Sequence, residues 1–361
     1  GTTSTSTLNT TASNFQLTAG SINITSGDTL TTNSSLVTLT GTSGTLFTNN
    51  GTLTTVGSTS QWDVTSASGT PTLLSAATTL HILKINSPAT VINLGASLTT
   101  DNNSGNKFWI ASGVFNLGNN IINGGLNSTL QVDSGATLCV GGTAIATNST
   151  CDSGATRTVN TNLPSFSTKT LHANSTVAYL TDVNQLVDTI TFGNLRLSPK
   201  MTASRTYTLP SSVSVAGNLD IKPSASAGSL AFLANIPSSG ITIAGTTTIQ
   251  PDATNSPTAK LDSTASNYNL TTGKLDIQTN GTLDIRNATL KLTGTSSTVF
   301  TRVGTFTIGG TSLTKFTGDP ASGSVTLTSN NVFTFDNLEI SPALTGTGTY
   351  TFGTSALTIN R

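Results

Sequence analysis

The chain has 361 residues, with 15 Lys plus Arg against 15 Asp plus Glu, so only 8% are charged and the formal net charge is zero. That balance excludes a basic nucleic-acid binder, which needs surplus cations to neutralise phosphates, and a helical bundle or coiled coil, which needs Ala, Glu, Lys, Leu and Arg at helical spacing. Thr (75) and Ser (45) make up a third of the chain beside 34 Gly and 33 Asn, and no apolar run approaches the ~18 residues of a membrane-crossing helix.

A hydroxyl-rich, low-charge chain can be disordered, but here 35% of residues are hydrophobic and they alternate with polar ones. Ser21-Ile22-Asn23-Ile24-Thr25 is the first such run, and Thr129-Leu130-Gln131-Val132 follows it. Further on come Lys274-Leu275-Asp276-Ile277-Gln278 and Thr305-Phe306-Thr307-Ile308. A period of two puts the apolar side chains on one strand face. Threonine fills the rest, since its branched Cβ suits an extended backbone. Gly and Asn punctuate the runs where turns need positive φ. The chain is predicted to be folded and all-β.

Internal repetition is the strongest signal. Ala12–Thr54 aligns without a gap on Ala265–Thr307, with 20 of 43 positions identical, where this composition alone gives roughly four or five. A second echo links Phe192-Gly193-Asn194-Leu195-Arg196-Leu197-Ser198-Pro199 to Phe335-Asp336-Asn337-Leu338-Glu339-Ile340-Ser341-Pro342. Thr206-Tyr207-Thr208 then recurs as Thr349-Tyr350-Thr351, and a weaker relative is Leu83-Lys84-Ile85-Asn86-Ser87-Pro88. Within the unit, strand, tight turn and strand recur at short interval, as in Gly20–Leu30, Thr129–Leu138 and Gly273–Leu283.

Such short strands suit the coils of an elongated parallel β-solenoid (β-helix), each coil satisfying its neighbour's backbone. At about 20–25 residues per coil the expectation is roughly 15–18 coils in one continuous solenoid over residues 1–361. The alternative is tandem Ig-like β-sandwiches, since the intervals between the Ser-Pro motifs also fit domain lengths. Leu180–Thr191 alone has helical spacing, through Val183, Leu186, Val187 and Ile190; it reads as a loop excursion or a short turn of helix.

The motif Asn-Leu-x-Ile/Leu-Ser-Pro followed by Thr-Tyr-Thr, at Asn194–Thr208 and Asn337–Thr351, resembles the Thr/Ser/Asn/Gly-rich repeats of bacterial extracellular surface proteins. Filamentous-haemagglutinin-like and autotransporter-passenger β-helices are of this kind. The resemblance is one of repeat style, and it implies an extracellular or cell-surface β-helix.

Chemistry-bearing motifs are scarce. Glu339 is the single glutamate, so a Glu/Glu glycosidase pair does not exist. Asp276 and Asp284 stand eight apart, but the first copy has Asn23 and Thr31 there, so both are expected on solvated surface. Asp252 and Asp262 near Lys260 come nearest to the acidic clusters of polysaccharide-degrading β-helix enzymes. Neither His81 nor His172 accompanies a Gly-x-Ser-x-Gly elbow, and no spacing of His, Cys or acids suggests a metal site. Gly41-Thr42-Ser43-Gly44 lacks the lysine of a phosphate loop and reads as a turn. Thr52-Leu53-Thr54, Thr206-Tyr207-Thr208 and Thr305-Phe306-Thr307 have large middle residues and irregular spacing, which argues against a flat ice-binding face. Eleven Asn-x-Ser/Thr sequons match what composition alone supplies.

Cys139 and Cys151, the only cysteines, are candidates for a disulfide across a short loop, or else two buried thiols. No catalytic, cofactor or metal residue is predicted, and the chain is expected not to be an enzyme. The expected role is an extracellular structural protein, the building block of a surface filament, sheath or surface layer that self-associates. A chain that begins without Met and stops inside a repeat suggests a processed protein or part of a longer one. The alternative is a bacterial adhesin that binds glycans or a host surface, and a polysaccharide-degrading β-helix enzyme is the more remote rival.

Overall fold

Alternation of small β-branched and apolar residues, broken every few positions by Gly or Asn, yields strands of 2 to 12 residues and, among the described residues, no helix. The computed structural model describes residues 5–12, 14–55, 59–142, 151, 163–226, 228–253, 255–263, 267–321, 323–330, 332–353 and 356–360. Strands pair in parallel with strands one turn away, Leu17–Ala19 with Leu36–Leu39 and Thr258–Asp262 with Gly281–Arg286. The fold is a parallel β-solenoid of about 13 turns. Ig-like sandwiches need antiparallel Greek-key strands and are excluded by this pairing.

Turns are fewer than the sequence suggested because they are longer. Register partners advance from Leu17 to Val37 and from Val37 to Trp62, but from Leu219 to Thr247 and from Thr247 to Leu275 by 28 residues each. The step from Leu130 to Lys169 is longer still, because it contains the segment that Cys139 and Cys151 close. The segment with helical spacing is also extended, with strands at Gln185–Leu186 and Thr191–Phe192. Its apolar residues divide between the two sides, Val187 buried and Leu186 exposed, which a helical stripe would not do.

Two compact units divide the chain, residues 1–180 and 181–361. In the first, three faces enclose the interior. One carries Gln61–Val64, the start of Ile82–Asn93, the start of Lys107–Asn116, and Thr129–Val132. Its inward residues Val37, Trp62, Leu83, Phe108 and Leu130 stack in register, each at most 1% exposed. Strands Ile82–Asn93 and Lys107–Asn116 bend through irregular registers into the second face. The third holds Thr7–Asn9, Thr29–Thr31 and Thr52–Thr54. In the second unit the corresponding inward column is Tyr207, Ala234, Leu261, Leu283 and Phe306. Each large buried side chain is worth about 1.5–3 kcal/mol, and the stack excludes water from the inter-turn hydrogen bonds.

The two long repeat copies share their turn geometry. Leu17 pairs with Val37 and Ile22 with Phe47 in one copy, Leu270 with Leu290 and Leu275 with Phe300 in the other. Left-handed residues recur at matched places: Asn14 and Asn267, Gly27 and Asn280, Asn33 and Arg286, Gly44 and Ser297. Sequence drifted at these sites while the backbone stayed left-handed, so the turn is set by the coil geometry and not by the side chain. A tighter constraint acts at one corner. A Cβ on Gly41 would lie 2.4 Å from the Gly20 carbonyl oxygen, and one on Gly294 would lie 2.5 Å from that of Gly273.

Candidate functional site

The densest ionic cluster lies on the third face of the second unit. Lys260 and Asp262 share the outward side of Thr258–Asp262, whose inward neighbours Ala259 and Leu261 are buried. Asp262 is the register partner of Asp284 on the next turn. Lys260 Nζ reaches across the ladder to Asp284 Oδ2 at 2.7 Å and to Asp262 Oδ2 at 3.0 Å, and Arg286 Nε stands 3.8 Å from Asp284 Oδ1. Burial works to lower the pKa of the Lys260 ammonium, but its hydrogen bonds to Asp284 and Asp262 prevail and hold it above the ordinary lysine value.

This arrangement corrects the expectation for Asp284, which is 4% exposed rather than solvated. It points outward, but Lys260 lies over it. Asp276 and Asp284 are not a pair, because Asp276 stacks between Thr248 and Thr301 on another face and accepts a hydrogen bond from Gln278 at 2.6 Å. Asp252 is exposed beyond the strand Ile241–Ile249, and the ion pairs of Lys260 are with Asp262 and Asp284. Two carboxylates held by one ammonium are poorly placed to exchange protons with a substrate, and they tie adjacent turns together.

His81 does have a carboxylate partner, which the sequence did not reveal. Its Nδ1 lies 2.8 Å from Asp101 Oδ1, but the ring is 0% exposed. The residues entering this corner on successive turns, Ser35, Ser60, His81, Asn106 and Ser128, are all fully buried. They form an inward polar column behind the sheet, out of reach of substrate. His172 is exposed, and its Nδ1 accepts from the Asn174 backbone N–H at 3.1 Å. A second buried charge is Asp182, which meets Arg205 Nε at 2.6 Å and accepts from the Thr202 N–H at 3.0 Å. Tyr207 beside it donates to the Thr181 carbonyl at 2.6 Å, and burial raises its pKa.

Cys139 and Cys151 form a disulfide and pack in the first unit with Val91, Val114, Ala178 and Leu180. The loop that they close at 143–150 lies outside the described residues. Gly41-Thr42-Ser43-Gly44 is a turn, as expected. Among the threonine triplets, Thr52 and Thr54 stack in register on Thr29 and Thr31. The large middle residue Leu53 is half-buried, and its register partner Leu30 is 3% exposed and faces inward. Elsewhere the columns break: Thr206 and Thr208 pair with Leu233 and Asn235, and Thr307 pairs with Asp284.

One outward patch was missed from the sequence. Phe108 and Ile110 are buried, so Trp109 between them faces out, half-buried, in a column with Asp63, Lys84 and Gln131. Lys84 Nζ and Lys107 Nζ lie 4.3 and 4.2 Å from the indole centroid. Indole Nε1 donates to Asp133 Oδ2 at 2.7 Å, and Gln131 Nε2 donates to Asp133 Oδ1 at 2.5 Å. Alternation within Lys107-Phe108-Trp109-Ile110 signalled an outward tryptophan; which residues from other turns meet it depends on register.

Two surface clefts have no ionisable lining residue: one is bordered by Pro88, Thr90, Ser112 and Ser134, the other by Ser212, Ser239, Thr242 and Asn269. Among the described residues no helix is long and apolar enough to cross a membrane, and no group of His, Cys, Asp or Glu could hold a metal ion. No family model, curated protein or solved structure matches the chain.

Proposed function

We propose that the chain is a non-catalytic, extracellular structural protein, a building block of a surface filament, sheath or surface layer. The carrying observation is the outer surface of the solenoid: short strands present threonine and its neighbours outward in columns such as Thr7, Thr29 and Thr52, while the whole chain has zero net charge. Copies of such a surface approach one another without long-range repulsion, and hydroxyls supply hydrogen bonds in either direction. The clefts without ionisable groups and the carboxylates held by Lys260 support a non-catalytic role. The disulfide supports an oxidising exterior.

Electron microscopy and light scattering of the purified protein at rising concentration test this reading. Filaments or ordered arrays are expected; dispersed single particles at millimolar concentration would overturn it. The adhesin alternative is favoured by a different observation, the Trp109 patch.

A further inference from the structure

We propose that the face around Trp109 binds an acidic saccharide, its carboxylate or sulfate held by Lys84 and Lys107 and its sugar ring packed on the indole. The inference sharpens the glycan-binding alternative but rests on this patch alone, so it stands or falls separately from assembly. Charge distribution is the first argument. Residues 1–150 contain six charged side chains, and four of them, Asp63, Lys84, Lys107 and Asp133, converge here. In a stretch so poor in charge, chance scatter would spread them over many turns. The only other tryptophan, Trp62, is 1% exposed in the core, so Trp109 is the one indole available to a ligand.

The second argument is an account of donors and acceptors. Both oxygens of Asp133 are engaged, by Trp109 and Gln131, and Asp63 Oδ1 accepts from Gln61 Nε2 at 2.6 Å. Neither lysine has an ion-pair partner among the described residues; each faces the π-cloud of one ring. Burial, together with repulsion from Lys84, lowers the Lys107 pKa against the attraction of Asp133. The two ammonium groups are therefore the charges of the patch that no carboxylate holds in an ion pair. A bare anion would satisfy the ammonium groups and leave the indole unused. A saccharide also uses the second oxygen of Asp63 as acceptor for its hydroxyls. A phosphate backbone, charged at every step, would carry its charge past the lysines onto Asp63 and Asp133, which flank them along the stack, whereas one carboxylate or sulfate seated between the lysines stays clear of both.

The test is a fluorescence titration of the full chain, since Trp62 is shielded and Trp109 reports. The probes are trigalacturonate for carboxylate, a chondroitin sulfate tetrasaccharide for sulfate, maltotriose as a neutral sugar, sodium sulfate and oligothymidylate. Saturable spectral change is expected with one or both acidic saccharides, weakened by 1 M salt. Joint substitution Lys84→Gln and Lys107→Gln should weaken binding at least about tenfold, while the Lys→Arg pair at the same positions retains it and controls for folding. Lys291→Gln with Lys315→Gln, on the second unit, should leave it unchanged. No saturable change with either acidic probe would overturn the proposal. So would equal affinity for maltotriose, sulfate or oligothymidylate, or full binding by the Lys→Gln pair.

Discussion

Replacing Gly41 by alanine tests the coil geometry most directly. The added methyl would sit 2.4 Å from the Gly20 carbonyl oxygen and 2.7 Å from Leu46 Cδ2, and real Cβ contacts essentially never fall under 3.0 Å. The turns must therefore part by at least 0.6 Å at this corner, where the Gly41 N–H donates to the same oxygen at 2.9 Å. Overpacking costs about 1–3 kcal/mol and a weakened hydrogen bond about 1 kcal/mol. Lower entropy of the unfolded alanine chain offsets about 0.4–1 kcal/mol. Net destabilisation of about 2–3 kcal/mol follows. Gly20, one turn earlier in the same corner, has nothing within 4 Å of its would-be Cβ and no positive φ, so Gly20→Ala should be neutral or stabilising by up to about 1 kcal/mol. Urea unfolding followed by circular dichroism measures both. Equal shifts for the two variants, or no loss for Gly41→Ala, would refute the argument that stacked carbonyls select glycine here.

Other consequences follow from the same geometry. Gly44→Ala meets no atom within 4 Å, so only its φ of 67° opposes it, and a loss of about 1–2 kcal/mol is expected. Its counterpart Ser297→Gly, relieving a φ of 57°, should gain up to about 1 kcal/mol in the same urea assay. Reducing the Cys139–Cys151 bridge, or replacing both cysteines by serine, should cost about 3 kcal/mol for a loop this short, read as a lower urea midpoint in reductant. Because the pKa of Lys260 is raised in the folded state, its contribution is complete below the unfolded value of 10.5 and is lost as pH rises through the folded value. The stability gap between the protein and Lys260→Met should then be constant from pH 7 to 9 and shrink above 10.5, as urea midpoints against pH will show.

What could be read without coordinates was local. Alternation assigns Leu275 and Ile277 inward and Asp276 outward because side chains flip with a period of two, and the structure agrees. The match between residues 12–54 and 265–307 announced that the same coils are built twice, and they are. The cysteine spacing offered a bridge or two buried thiols, and the fold forms the bridge. What escaped was everything set between turns. Whether Asp284 meets Asp276 or Lys260, whether Trp109 meets Asp133, and whether His81 meets Asp101 depends on how many residues each corner consumes. Per turn, that number runs from 20, between Leu17 and Val37, through 28, between Thr247 and Leu275, to 39, between Leu130 and Lys169. A strand's own residues decide which way a side chain points, whereas its neighbour in the stack comes from a chain segment twenty or more residues away. Only the folded coil, closed by its inter-turn hydrogen bonds, brings those segments into register.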